Sequence, residues 1–302
     1  YTFGGSSAMS QTTSTLSNPD LKWETTTSLN IGLDFAVLNS RISGAIDYYL
    51  SNTTDMLYQI QLPVLGGISS TFTNLGKIAN RGLEISLNTV NLKFNDFTWE
   101  SNIVFSRNRN KIVSLLGRDD DGDGNEDDLV SEGLFIGEPI SAIYTYNVLG
   151  IYQLDDTDIP KNSGPGLYRY EDLNGDGQIT SQFDRKIIGY KDPSYRWSFK
   201  NTLSYKNFSL MIFLNSIQGG RNYYVGAIQG PTGSAIDDNV RRDNFGVEHF
   251  KHWWTPLNTN SQFKELFAYD PIQTYRYFDR SFVRLQDISL SYRFDPSKIK
   301  RI

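Results

Sequence analysis

Residues 172–184 read DLNGDGQITSQFD and place oxygen-bearing side chains at Asp172, Asn174 and Asp176, with Gly177 next. This is the 1, 3, 5 spacing of a calcium loop, with glycine at the sixth position where the chain turns sharply. The expected ligand set is Asp172, Asn174, Asp176, the Gln178 carbonyl and Asp184. Phe183 holds the twelfth position, which an EF-hand gives to a bidentate carboxylate, and Asp184 follows one residue late. Gly164, Pro165 and Gly166 before the loop, and Gly189 and Pro193 after it, leave no flanking helices. Calcium is therefore expected as a structural brace and not as a signal; the alternative is a hydrated pair of Asn-Gly and Asp-Gly turns. A second run, DDDGDGNEDD (119–128), offers Asp119, Asp121, Asp123, Asp127 and Asp128. Carboxylates this dense repel unless a cation joins them; the alternative is a solvated loop tip.

Other chemistry finds little support. His249 and His252 are the two histidines, at i, i+3 where a helical zinc pair needs i, i+4, so a rim position beside Trp253 and Trp254 is expected. Those tryptophans are expected to pack, with sugar stacking as the alternative. There is no G-x-S-x-G elbow, no phosphate-binding loop and no cysteine, so the chain is not expected to be an enzyme. A net charge of −5 argues against nucleic acid as partner. No apolar run approaches the roughly 18 residues of a membrane helix. The chain opens YTFGGSSAMS, without an initiator Met or a signal-peptide pattern, and reads as an internal piece of a longer product.

The elements that would position these loops are strands. Leu29, Ile31, Leu33 and Phe35 alternate with Ser28, Asn30, Gly32 and Asp34; Ile42, Gly44, Ile46, Tyr48 and Leu50 alternate with polar neighbours, as do Leu83, Ile85 and Leu87. Strands are expected near 21–37, 41–51, 79–90, 97–108, 194–205, 208–216 and 281–294. A slip of phase between Leu285 and Ile288 predicts a bulge. The connections 38–40, 91–96 and 206–207 are tight, whereas 52–78, 109–193 and 217–280 are long, so short and long alternate. That predicts an up-and-down sheet with every short turn at one end, as in outer-membrane barrels, with aromatics such as Trp23, Trp99, Trp197, Tyr205 and Tyr292 at strand ends. Arg41, Asp47, Glu84 and Lys200 are expected on the polar, lumen-facing side. The alternatives are a soluble, calcium-stabilised extracellular β protein that binds polysaccharide, and an outer-membrane assembly component without transport.

Several segments resemble the SusC/RagA-type TonB-dependent outer-membrane transporters: NPDLKWETTTSLNIGLDF (18–35), NLGKIANRGLEISLN (74–88), GEPISAIYTYNVLGIYQ (137–153), DLNGDGQIT with DRKIIG (184–189), RWSFKNTLSYKNFSL (196–210), HWWTP (252–256) and SFVRLQDISLSY (281–292). The resemblance implies an all-β chain, residues 1–302 forming part of an antiparallel transmembrane β-barrel of about 22 strands, with short periplasmic turns and long extracellular loops. It implies residence in the outer membrane, contact with its lipid, and import of oligosaccharides or peptides with a SusD-like surface lipoprotein. The TonB complex would act through a plug and N-terminal region outside these residues.

Overall fold

The computed structural model describes residues 2–3, 6–7, 15–65, 68–161, 163–222, 252–265, 270–272 and 274–294. The elements run β1 (Thr2–Phe3), β2 (Ser6–Ser7), β3 (Thr15–Leu16), β4 (Thr25–Val37), β5 (Ile42–Leu65), β6 (Ile68–Phe94), β7 (Phe97–Ser114), β8 (Ala142–Tyr146), β9 (Val148–Ile151), β10 (Tyr168–Tyr170), β11 (Arg185–Tyr190), β12 (Tyr195–Tyr205), β13 (Phe208–Gln218), β14 (Arg221–Asn222), β15 (Phe278–Asp279) and β16 (Phe282–Tyr292). The chain divides into two compact units, residues 1–91 with 100–140 and residues 92–99 with 141–302.

In the first unit β4 and β5 pair antiparallel, as do β5 and β6, and the register brings like residues together. Leu33, Ile46 and Ile85 lie side by side across three strands, flanked by Ile31, Tyr48 and Leu83 on one side and by Phe35, Gly44 and Leu87 on the other. Leu29, Ile31, Leu33, Ile46, Tyr48 and Leu50 are all exposed. From Leu29 to Val37 this apolar belt runs about 27 Å along the strand. Tilted at about 40°, it has nearly the height of the apolar band of an outer-membrane barrel. On the opposite face Asp47 stands against Glu84 and Gly32, as expected for a wetted lumen wall. Arg41 departs from that expectation: it sits in the turn before β5, where its guanidinium donates to the carbonyls of Val90 and Asn91 at 3.3 Å.

The connection 52–78 is not a long loop. β5 and β6 continue as one extended hairpin, with the register unbroken from Ile42↔Thr89 to Thr54↔Lys77 and onward to Gln61↔Ser70. A transmembrane strand needs about 9–11 residues, so much of this hairpin stands beyond the belt. It is strand because one of its sides has something to cover: Met56, Tyr58 and Ile78 pack on a buried cluster of Ile112, near the end of β7, with Leu115 and Leu134 from the segment that follows.

In the second unit β12, β13 and β16 form a sheet with the belt repeated. Leu203, Leu210 and Leu290 align, as do Tyr205, Phe208 and Tyr292 at the turn end. The bulge falls where expected: Phe213 pairs Asp287 and Leu214 pairs Leu285, leaving Gln286 as the extra residue. That one insertion puts Leu285 and Ile288 on the same face, although their spacing is odd. At the turn end the rings of Phe208 and Tyr292 lie 4.6 Å apart. The tight turns meet here, Lys206 N donating to Asp96 O at 3.1 Å.

Asn201 is a polar residue within the apolar stripe, and Trp99 Nε1 donates to its Oδ1 at 2.9 Å. In lipid a polar group needs such a partner. Trp99→Phe is expected to lower barrel stability by about 1 kcal/mol, and Asn201→Leu added to it should restore most of that, because removing both partners strands neither. Unfolding midpoints of the full barrel in bilayers would check this; a double variant no more stable than Trp99→Phe would refute it.

Candidate functional site

The long connections carry the candidate chemistry, and in the second unit they are built as nested hairpins. β8 pairs β11 and, inside them, β9 pairs β10, so that residues 171–184 form the bend between β10 and β11. Glu171 anchors its start, accepting from Asn147 Nδ2 and Lys186 Nζ at 2.6 Å each.

Within the bend, Asp172 Oδ1 accepts from Gly175 N at 2.7 Å and its Oδ2 from Gly177 N at 2.8 Å. Asn174 Oδ1 accepts from Asp176 N at 3.2 Å, and Asp176 Oδ1 from Gln178 N at 2.7 Å. Gly175 and Gly177 have φ of 74° and 77°, values that disfavour side chains. Asp184 is turned inward, with no exposed surface. Its Oδ1 accepts from Leu173 N at 2.9 Å and its Oδ2 from Thr180 N at 2.7 Å, which ties the two arms of the loop together.

Burial by itself would raise the Asp184 pKa, but the amides of Thr180, Leu173 and Asn174 and the Thr180 hydroxyl favour the carboxylate and hold it below its ordinary value. A depressed carboxylate pKa contributes stability at neutral pH, and that stability is lost as pH falls through the lowered value. Loop protection is therefore expected to be flat from pH 8 to 5 and to drop only in stronger acid. Asp184→Asn should remove it at all pH values, with amide exchange at Leu173 and Thr180 at least about tenfold faster, since hydrogen bonds to charged groups are the stronger ones. Unchanged exchange in this variant would show that Asp184 does not hold the loop.

The run 119–128, in the first unit, repeats this turn residue for residue. Asp119 Oδ1 accepts from Gly122 N at 2.7 Å and Oδ2 from Gly124 N at 3.0 Å; Asp121 accepts from Asp123 N and Asp123 from Asn125 N. Asp119, Asp121, Asp123 and Gly124 thus occupy the same 1, 3, 5 and 6 positions, a signal present in the sequence but hidden among four neighbouring acids. Here the closing carboxylate is Glu126, whose Oε1 accepts from Leu115 N and Gly117 N at 2.6 Å each. Burial opposes its charge, yet those amides, with Leu116 and Ser114, keep its pKa below the ordinary value. Nothing in its spacing marks Glu126 as the clamp. Asp128 is drawn aside to accept from Ile136 N at 2.6 Å.

The donor set suits a hard cation. Carboxylate oxygens of Asp119, Asp121 and Asp127 lie within 4.8 Å of one another. Two oxygens on one calcium, each at about 2.4 Å, can be at most about 4.8 Å apart, so a single ion could touch all three. Asp172, Asn174 and Asp176 present their oxygens on one turn, with Asp184 behind them.

Elsewhere in the second unit, Trp254 is 3% exposed and packs with Ile151, Tyr168 and Tyr170, its Nε1 donating to Gln153 Oε1 at 2.9 Å. His252 is exposed beside it, and His249 lies outside the described residues. Nearby, Asp270 is 1% exposed and accepts from the Tyr170 hydroxyl, with Lys264 Nζ 3.7 Å away. Burial and the Asp270 charge push the Tyr170 pKa far up, and burial lowers that of Lys264. No local pattern marks this cluster, whose members are up to 100 residues apart.

The family described as TonB dependent receptor-like, beta-barrel, matches residues 1–300. The TonB-dependent receptor P3 of Formosa agariphila is 34% identical over 292 residues, covering 93% of this chain and 28% of the relative. The TonB-dependent receptor SusC of Bacteroides thetaiotaomicron is 31% identical over 284 residues, covering 92% and 27%. Among solved structures, the RagAB peptide transporter aligns with a TM-score of 0.67 at 23% identity, over 94% of this chain and 31% of that one, a likeness of fold. The chain thus spans less than a third of the length of these relatives.

Proposed function

The chain belongs to the TonB-dependent receptor β-barrel family and is part of an outer-membrane barrel wall; from this we propose that the protein it belongs to imports oligosaccharides or peptides together with a SusD-like surface lipoprotein. The family is one of transporters and receptors, not of enzymes. The observation that supports the reading most is the apolar belt in which Leu33, Ile46 and Ile85 align in register, with Leu33 and Ile46 exposed. Energy would enter through the TonB complex and a plug, while this chain contributes wall and loops. The long loops, stiffened by the nested strands β8 to β11, would meet substrate and lipoprotein.

The test is uptake by cells carrying the full-length protein. Uptake of the substrate oligosaccharide or peptide should be lost on deleting either the receptor or TonB. Growth on that substrate without TonB would overturn the import reading.

Calcium is proposed as the brace of both acidic loops. With the two carboxylate turns already preformed, half-saturation is expected at about 0.1–1 mM, the range of extracellular calcium modules. Calcium should slow amide exchange at Gly122, Gly124, Gly175 and Gly177, and a chelator should reverse it. Identical exchange with and without calcium would leave both as hydrated turns.

A further inference from the structure

We propose that the extracellular end of the lipid-facing side of β4 to β7, around Arg81, Arg109 and Lys111, docks the phosphorylated headgroup of a glycolipid in the outer leaflet of the membrane. The proposal goes beyond the import reading and needs only the placement of these strands in the barrel wall.

It starts from where charge falls on the two faces. Arg81 stands opposite Leu50, which pairs Leu29, one row beyond Leu83, Tyr48 and Ile31. It therefore shares the belt face, at the end away from the tight turns. Farther out on the same face Lys77 stands against Thr54. On β7 the faces are fixed by side-chain bonds: Asn108 Oδ1 accepts from the Tyr49 hydroxyl at 3.0 Å, and Asn102 Nδ2 donates to Asn88 Oδ1 at 2.8 Å. Tyr49 and Asn88 belong to the lumen face, opposite Gly82 and Ser43. Alternation then puts Arg107, Arg109 and Lys111 on the belt face. Tyr49 lies over Gly82 on its way to Asn108. Arg81 and Arg109, each the next residue outward, thus fall at one level, with their strands about 5 Å apart.

The acids go the other way. Asp34 pairs Ala45 and Asp47 pairs Glu84, all on the lumen face, and Glu100 alternates with Asn102 onto that face too. Up to Thr54 and Lys77, the belt face of these strands carries no Asp or Glu. Among the described residues, none of the five bases at its outer end has a carboxylate partner. Water at a membrane rim would serve either sign, and an acid on the lipid face costs less than a base. Segregation of this kind points to an anionic partner outside the barrel.

The level identifies that partner as lipid. Leu29 and Leu50, in the row of Arg81, are exposed apolar residues, and Trp23, 90% exposed just before β4, is placed as an interfacial anchor. A soluble acidic protein would need bases surrounded by water, whereas these continue the belt without a break. Two guanidinium forks side by side suit phosphate oxygens, which they can hold through paired N–H donors.

The test uses the full-length receptor, purified in detergent at a fixed calcium concentration, and titrates it with phosphorylated lipid A, the same lipid A dephosphorylated, and phosphatidylglycerol. The variants are Arg81→Gln, Arg109→Gln and Lys111→Gln combined, and Lys93→Gln, which removes a base of the same face at the tight-turn end; heat-modifiability on a gel establishes that each is folded. Phosphorylated lipid A should bind saturably, and both its dephosphorylated form and the triple variant should weaken binding at least about tenfold, since each base near an anionic surface contributes. Lys93→Gln should leave it unchanged. Equal binding by the triple variant, equal loss in Lys93→Gln, or equal affinity for phosphatidylglycerol would overturn the proposal. Failure of the import reading would appear separately, as uptake independent of TonB.

Discussion

Ile46→Arg is expected to cost the barrel about 2–4 kcal/mol, the penalty of a cationic side chain facing the bilayer midplane. Ile46 lies between Leu33 and Ile85 at the centre of the belt, so its side chain has neither water nor a polar neighbour across the strand. The effect should appear as loss of the compact, heat-modifiable form and as a lower unfolding midpoint in bilayers. The adjacent change Asp47→Asn, one residue along on the opposite face, should be mild, since it stays in the wetted lumen and relieves repulsion with Glu84. If the two variants behaved alike, the assignment of faces would be wrong.

Trp254→Ala should cost about 3–5 kcal/mol locally, the usual price of truncating a buried tryptophan. The indole fills the cluster of Ile151, Tyr168 and Tyr170, and its N–H satisfies Gln153. Gly166, at φ 89°, is tailored to it: a Cβ there would come within 2.8 Å of the ring. Because the barrel belt lies elsewhere, the loss should be confined to the loops. Amide exchange at Tyr152, Gly166 and Glu265, whose N–H groups bond within this patch, should accelerate by two orders of magnitude or more, while heat-modifiability persists. Global unfolding of the barrel in this variant, or unchanged exchange, would contradict the description of Trp254 as a loop anchor.

Much of the wall was legible because its signal is local. Side chains of a strand alternate with period two whatever lies beside them, so Leu29 to Phe35 and Ile42 to Leu50 announce a two-faced strand. The odd spacing of Leu285 and Ile288 likewise required a residue out of phase, which is Gln286. The turn at 206–207 was fixed by the two alternating runs on either side. In the acidic loops the spacing of Asp172, Asn174 and Asp176 and the glycine after them specified the turn, since each oxygen reaches an amide two to five residues on.

What the tertiary structure decided is where strands stop and which polar groups go inside. Residues 51–61 alternate too, with Met56, Tyr58 and Ile60 on one side, but a strand persists only where a partner takes its hydrogen bonds and something covers its face. The segment carrying Ile112, Leu115 and Leu134 does so here, from more than 50 residues away. Arg41 went to the turn because the carbonyls of Val90 and Asn91 are within its reach, a fact of pairing register and not of residue type. Glu126 and Asp184 became clamps, and Asp270 a buried partner of Tyr170 and Lys264, because amides, hydroxyl and ammonium converge on them in space. Acids look alike in sequence; burial with donors in place is what distinguishes one from another, and only the packed chain supplies both.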